Sequence, residues 1–485
     1  MTLSLSSKVA YNTIIQIIGK AVSTIIGLAA VAIMARYLKE YGFGQYATVI
    51  TFVSFFGILS DFGLTLVTSQ MISRPGANQT ILLNNLFSLR LISAALFLGL
   101  APLAILFFPY DPIVKIGASI VSLSFFFTAL NQILVGFFQK NLTMAVVSAA
   151  EIASRAILFA GVMITDYFNL GLIGIMCAMA VSSAASFIIH YWFSKRFIKI
   201  SWQIDLTVWR EIIKKSWPIG LTIFFNLIYL RADIFILSLI KSQADVGVYG
   251  AAYKIIDVLT TLPFMFAGLI LPILASEWAN KNFLKFNRVL QKSFDAMIIF
   301  AVPMIIGAQF AAKPLIILIA GENFIQSGGI LKILILAIGF IFIGCLLSHA
   351  VIALNKQKNI IWAYIFTAAT SLAGYLIFIP RFSYYGAAWV TVYSEFAIVL
   401  FSLYIVIKHG KFIPNPVIII KSLSASLAMV IAIYFLINRL DIISVILIGG
   451  AVYLLFLYLF KGFSSVIPAL SRNPDSNDKN QFFCR

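Results

Sequence analysis

Fourteen apolar runs, each long enough to cross a bilayer, follow one another along this chain with only short breaks between them. Read between charged or turn-rich positions, they fall at residues 10–36, 44–70, 81–108, 113–138, 143–165, 170–193, 216–240, 247–274, 294–318, 329–353, 359–379, 384–407, 416–437 and 441–461. A span needs about 20 apolar residues, and inside hydrocarbon every backbone N–H and C=O must be satisfied within the protein. Runs this long satisfy that requirement as helices and exclude a closed barrel, whose strands are only about 10 residues of alternating polarity. Composition agrees, because 61% of the residues are hydrophobic and 11% charged, against about 45–50% and 25% in soluble domains. The expected fold class is an all-α polytopic membrane protein with about 14 transmembrane helices. No connection between runs is longer than residues 194–215, so a catalytic domain between spans is not expected, and neither is enzymatic activity.

The formal charge of +18 would suggest nucleic acid in a soluble protein. In a membrane protein the positive-inside rule comes first, and no nucleic-acid partner is expected. With the N-terminus placed in the cytoplasm, 21 of the 35 Lys and Arg fall on one side and 7 on the other, which predicts cytoplasmic N- and C-termini. The first apolar run is too long, and lacks the small-residue cleavage pattern, for a removable signal peptide. Cys177, Cys345 and Cys484 have no paired spacing, so neither a disulfide framework nor a metal site is expected, and no cofactor is. The 194–215 connection carries six cations with Trp202, Ile204, Leu206, Trp209 and Ile212 between them, a composition suited to the headgroup region. A solvated linker between two halves is the competing reading.

That connection divides the runs six and eight, and the two sides echo each other. Gly44-Gln45-Tyr46 follows the first run, and Gly247-Val248-Tyr249 follows the seventh, 203 residues later. Gly171 and Gly174 have a weaker echo in Gly386. The simplest account is two pseudo-symmetric six-helix bundles plus two C-terminal helices. The expected domains are 1–193 (first bundle), 194–215 (interfacial linker), 216–407 (second bundle), 408–461 (two added helices) and 462–485 (a disordered tail). Parallel repeats of this kind are a transporter architecture, with the substrate held between the halves. The segment Gly42 to Ala47 has the look of a dinucleotide fingerprint, but it sits in a turn between two spans without the strand such a site needs.

Seven cations remain inside the runs. Lys332 and Lys421 lie near helix ends and can snorkel, whereas Lys20, Arg90, Arg155, Arg231 and Lys254 are deep. Buried ionisable groups cost at least ~2.5–3.5 kcal/mol each in insertion measurements and usually mark a pathway. These five are the candidate substrate-binding residues, lining a cationic cavity that prefers an anion such as a phosphate or uronate. The alternative is pairing, with Glu151 near Arg155, Asp233 near Arg231 and Asp257 near Lys254. Asp61, Glu151, Asp233, Asp257 and Glu395 are therefore candidates for charge pairing or ion coupling. Gly19, Ser23 and Gly27 form an i, i+4, i+8 stripe suited to close helix contact.

Three stretches carry a family resemblance: the end of span 1 (Ala35 to Ala47, ARYLKEYGFGQYA), Ser60 to Leu64 (SDFGL) and Leu230 to Ile255 (LRADIFILSLIKSQADVGVYGAAYKI). Together they resemble the polysaccharide-transporter branch of the multidrug/oligosaccharidyl-lipid/polysaccharide exporter superfamily. That resemblance implies a MATE-like fold and a multi-pass protein of the bacterial inner membrane. It also implies flipping of an undecaprenyl-diphosphate-linked oligosaccharide, such as an O-antigen repeat unit, by alternating access. Coupling to a proton or sodium gradient or to membrane potential is implied, as are membrane lipids and a polysaccharide polymerase as partners. Asp233 falls in the Arg-x-Asp element of span 7. A cation-coupled multidrug exporter of the same superfamily is the alternative, followed by a membrane-embedded polymerase or ligase. The drug exporter would need an acidic cavity and only 12 helices, and the enzyme a large outer loop that this chain lacks.

Overall fold

The protein was analysed as a computed structural model, which describes residues 5–72, 79–197 and 201–465. The tail expected to be disordered lies outside the described residues from 466 onward, and so do Arg74, Lys199 and Cys484. Among the described residues there is no strand. The long helices are α1 (Leu5–Asp61), α2 (Leu64–Ile72), α3 (Gln79–Ala104), α4 (Pro112–Lys140), α5 (Met144–Tyr167), α6 (Gly171–Ser194), α7 (Leu206–Ile240), α8 (Gln243–Ala279), α9 (Phe283–Ala320), α10 (Ser327–Ala353), α11 (Gln357–Gly410), α12 (Val417–Leu436) and α13 (Ile442–Leu459).

Twelve of these are long and apolar enough to cross a membrane. Two of the twelve are each a pair of helices joined through a single residue with positive φ, Lys39 in α1 and Ser383 in α11. Counting those halves separately recovers the fourteen runs of the sequence. The breaks differ in one respect: the second half of α1 stops at Asp61, and the end of the predicted second span becomes the separate short helix α2. Asp61 causes this. Its carboxylate accepts the N–H groups of Gly63 (3.2 Å) and Thr65 (3.3 Å), capping the new helix while Phe62 and Gly63 turn the chain through positive φ. The outward faces carry Leu, Ile and Phe, for example Leu447, Leu454 and Leu455 on α13, which suits lipid rather than water. The chain is a multi-pass membrane protein.

Cα proximity groups the chain into two units, Met1–Val258 with Lys313–Leu334 and Ile361–Ser394, and Leu259–Ala312 with Ile335–Ile360 and Glu395–Arg485. In the first unit α4 packs on α6 and α3, and α5 lies between α1 and α6. The Gly19 stripe is one reason α1 and α5 come so close: a Cβ at Gly19 would sit 2.5 Å from the Ser148 side chain. In the second unit α12 pairs with α13. Tyr453 of α13 donates to the Ile299 carbonyl of α9 (2.8 Å), and the Asn415 amide before α12 donates to Gln291 of α9 (2.9 Å).

The internal repeat takes physical form in the first unit. A Cβ at Gly44 would lie 1.6 Å from the Gln243 carbonyl oxygen, and one at Gly247 would lie 1.9 Å from that of Glu40. Both pairs obey the 203-residue offset, so the turn after Lys39 and the turn entering α8 meet through equivalent atoms. No residue with a Cβ fits at either place.

The 194–215 connection is neither free nor wholly irregular. Helix α7 already begins at Leu206, capped by Asp205, which accepts the N–H groups of Thr207 (2.9 Å) and Val208 (3.3 Å). Residues 201–205 are non-helical and held by α3. The Ser201 and Asp205 amides donate to the Asn84 and Asn85 side chains (3.1 and 2.8 Å), and the Gln203 amide donates to Ser88 Oγ (3.0 Å).

Candidate functional site

Within the first unit, α1, α2, α4, α5 and α6 enclose a cavity of about 470 Å³. Two of the five deep cations, Lys20 and Arg155, line it. Lys20 Nζ lies 3.5 Å from Glu151 Oε1, with both side chains part-exposed. The acid expected four residues before Arg155 therefore serves α1 instead. Arg155 is exposed to the cavity, makes no ion pair among the described residues and lays its side chain against Gly27, whose absent Cβ leaves room at 3.6 Å. Two cations against one carboxylate leave the cavity a surplus of one positive charge.

Much of the remaining lining is hydroxyl-bearing or amide. Ser124 of α4 bonds Ser183 of α6 (2.7 Å), and Ser154 of α5 bonds Ser182 (2.8 Å), and Thr128, Gln132 and Ser186 line the same cavity. Ser124, Thr128 and Gln132 recur at i+4, as do Ser182, Ser186 and His190. Charge alone does not reveal these stripes in the sequence. An isolated hydroxyl satisfies itself on the carbonyl four residues back, as Thr128 does on Ser124 (2.9 Å), so it costs little in an apolar helix and does not stand out. The period-four recurrence is the signal that marks the stripes.

Arg90 is not part of that lining. It is fully buried and donates to the carbonyls of Ala129 and Ser60 (both 3.0 Å) and to the Gln132 amide oxygen, with Asp61 Oδ1 at 2.8 Å. Its donors are consumed in tying α3 to α4 and to the end of α1. No acid lies near it in its own helix, but one does across the bundle, and sequence spacing alone does not reveal an interhelical partner. Asp61 is thus a capping and pairing group.

Arg231 and Lys254 converge on a single acid. Asp257 Oδ1 is 2.7 Å from Arg231 Nη2 and Oδ2 is 3.7 Å from Lys254 Nζ. Arg231 also stacks over the Tyr253 ring at 5.0 Å, and Lys254 lies over Tyr46 at 5.7 Å. Again two cations meet one carboxylate. Asp233, expected beside Arg231, is fully buried and makes no ion pair among the described residues. It accepts Tyr249 Oη (2.7 Å), the Ile234 N–H (2.7 Å) and Thr391 Oγ1 (3.4 Å), and Thr391 in turn meets Tyr375 Oη (3.2 Å). In the second unit Glu395 is 5% exposed, and its Oε1 has no hydrogen-bond partner. Among the described residues no His, Cys, Asp and Glu cluster could hold a metal.

An all-helical chain of some fourteen spans, with cations and hydroxyls around an internal cavity, has the fold of a membrane transporter. Solved structures share it: the lipid II flippase MurJ in an inward closed conformation (TM-score 0.73, 20% identity, 92% of this chain and 98% of that one) and an inward-facing MATE-family multidrug transporter of the MOP superfamily (TM-score 0.62, 15% identity, 82% and 98%). The sequence profile described as "Polysaccharide biosynthesis protein" matches residues 9–278, and the chain belongs to that family. Over 393 residues it is 23% identical to a Shigella flexneri protein named "Putative O-antigen transporter", covering 78% of this chain and 92% of that one.

Proposed function

We propose that this protein flips a lipid-linked oligosaccharide, its diphosphate carried on undecaprenol, across the bacterial inner membrane by alternating access. The O-antigen transporter relative and the lipid II flippase fold support that reading. The observation that carries it is Arg155, a guanidinium within a predicted span that makes no ion pair among the described residues and shares a cavity with a set of hydroxyls. A guanidinium offers a planar fork of donors to phosphate or carboxylate, and hydroxyls exchange hydrogen bonds with sugar. A cation-exporting drug transporter would place the surplus of charge the other way. On this reading the cation-rich side is cytoplasmic, with both termini there, and the five deep cations divide by role. Lys20 and Arg155 attract the anionic head, Arg231 and Lys254 form a second, half-neutralised station at Asp257, and Arg90 holds the bundle together. Asp233 and Glu395, buried without cations, are the groups whose protonation or ion binding would couple transport to a gradient.

The test is complementation of a flippase-null strain at matched protein levels. Arg155→Ala should abolish surface polysaccharide, and Arg155→Lys should restore part of it. Wild-type polysaccharide from Arg155→Ala would refute the role given to this residue. Failure of the unmodified chain to complement any lipid-linked glycan pathway, together with export of organic cations, would favour the drug exporter.

A further inference from the structure

The strap between α6 and α7 has two sides with different chemistry. Its inner side is the latch to Asn84, Asn85 and Ser88, continued by Ile212, which is fully buried against Leu64, Val67 and Leu86. The Ser201, Gln203 and Asp205 amides are turned to α3, whereas the neighbouring side chains are open: Trp202 is 59% exposed, Ile204 48% and Leu206, at the start of α7, 74%. Four exposed cations flank them along the chain, Lys195 and Arg196 at the end of α6 and Arg210 and Lys214 in the first turns of α7. The acids of the same stretch are already occupied, Asp205 by the first amides of α7 and Glu211 by Lys215. The surface is therefore apolar at its centre, positive at its edge, and placed where one span ends at Ser194 and the next begins at Ile219. That is the boundary between hydrocarbon and water.

We propose that this surface is a seat for anionic phospholipid headgroups. The Trp202, Ile204 and Leu206 side chains enter the headgroup and acyl boundary, and Arg196, Arg210 and Lys214 meet the phosphates. Charge complementarity selects the occupant. Lys195 rests on the Tyr191 ring and Arg196 on Trp192 and Phe193, but an uncharged apolar partner gives none of the four cations a counter-charge, whereas a phosphate-bearing leaflet satisfies both features at once. Because the strap is latched to α3, lipid held there is held by the first bundle itself.

Native mass spectrometry of the full chain, titrated with phosphatidylglycerol or phosphatidylcholine, tests this. The unmodified protein should bind phosphatidylglycerol more tightly, with the preference shrinking as salt rises. Each cation contributes about fivefold near an anionic surface, so Arg196→Ala/Arg210→Ala/Lys214→Ala should weaken phosphatidylglycerol binding at least tenfold. Lys356→Ala/Lys408→Ala/Lys411→Ala should not. If the triple variant does not fold, Arg210→Gln alone carries the test at about fivefold, and Arg196→Lys/Arg210→Lys should bind as the unmodified protein does. Unchanged phosphatidylglycerol affinity in a folded variant overturns the proposal. So does one-for-one displacement of phosphatidylglycerol from this surface by undecaprenyl diphosphate, which would give the cations to the transported lipid. Neither outcome bears on whether the protein flips a glycan.

Discussion

Replacing Gly44 with Ala perturbs the meeting of the two repeat turns, since the nearest atoms to the added Cβ belong to Gln243 and Gly247. The new Cβ would start 1.6 Å from the Gln243 carbonyl oxygen, whereas a tolerable C···O approach is about 3.3 Å or more. The turns must therefore separate by roughly 1.5–2 Å. The obstacle is backbone, so no rotamer change relieves it. Overpacking a tight contact typically costs about 1–3 kcal/mol, and here the cost falls only on arrangements in which the turns touch. An equilibrium between touching and separated turns would shift by about 5- to 150-fold toward separation. Spin labels at Tyr41→Cys and Ser242→Cys, in a chain whose native Cys177, Cys345 and Cys484 are replaced by Ser, report this as a distance distribution in detergent or nanodiscs. Gly44→Ala should move weight to longer distances, and Gly247→Ala should do the same, since its Cβ would start 1.9 Å from the Glu40 carbonyl. Gly42→Ala, whose Cβ would meet only the Leu38 side chain at 3.1 Å, is the control and should leave the distribution in place. Identical distributions for Gly44→Ala and the unmodified chain would refute the argument, and a shift from only one of the two glycines would refute the equivalence of the turns.

Other substitutions separate structural charges from functional ones. Arg90→Met should destabilise the protein by about 3–5 kcal/mol by stranding Asp61. Arg90→Met/Asp61→Asn should recover much of that loss, read as the melting temperature in detergent. Lys20→Ala cancels the cavity's surplus charge, so transport should fall several-fold, and Lys20→Ala/Glu151→Gln should restore it, measured as surface polysaccharide at matched expression. Removing the latch with Asn84→Ala/Asn85→Ala/Ser88→Ala deletes the three bonds to the strap's amides, worth about 1 kcal/mol each, and trypsin should then cut at Arg196 at least tenfold faster. Asp441 caps α13 by accepting the Ser444 N–H (3.0 Å) and hydroxyl (2.7 Å), and these bonds hold its carboxyl below the usual range. A lowered pKa means the cap is fully present above the ordinary value near pH 4 and is lost as pH falls through the folded one. At neutral pH Asp441→Ala should speed amide exchange in the first turn of α13, whereas Asp441→Asn should not.

Helix count and approximate helix position were legible because an apolar run of 20 residues has few alternatives. The repeat was legible from two Gly-x-Tyr turns, and the reason for those glycines became visible only when the turns were seen to touch. The five deep cations were also legible, since a charge in hydrocarbon is conspicuous, but their partners were not. Glu151 serves Lys20 instead of Arg155, and Asp257 serves Arg231 as well as Lys254, because a helix fixes spacing along itself and leaves its neighbours unspecified. Arg90 shows this most clearly. No acid lies near it in its own helix, yet it is the most fully bonded cation of the five. The strap was half legible: its cations and tryptophans set it apart from the spans on either side, whereas its attachment depends on three small polar residues of α3 that look unremarkable within an apolar run.

The meeting of the two turns has the form of a dimer interface. In a two-fold homodimer, residue i of one copy touches residue j of the other and the reverse holds as well. Gly44 with Gln243 and Gly247 with Glu40 reproduce that reciprocity inside one polypeptide. The halves are thus tied in their divergence: Tyr41 and Ala244 stand at equivalent places and have drifted apart, but a side chain at either glycine would break a contact that both halves share. A gene encoding only the first half would leave its turn facing solvent, shaped to receive an equivalent turn from a second copy.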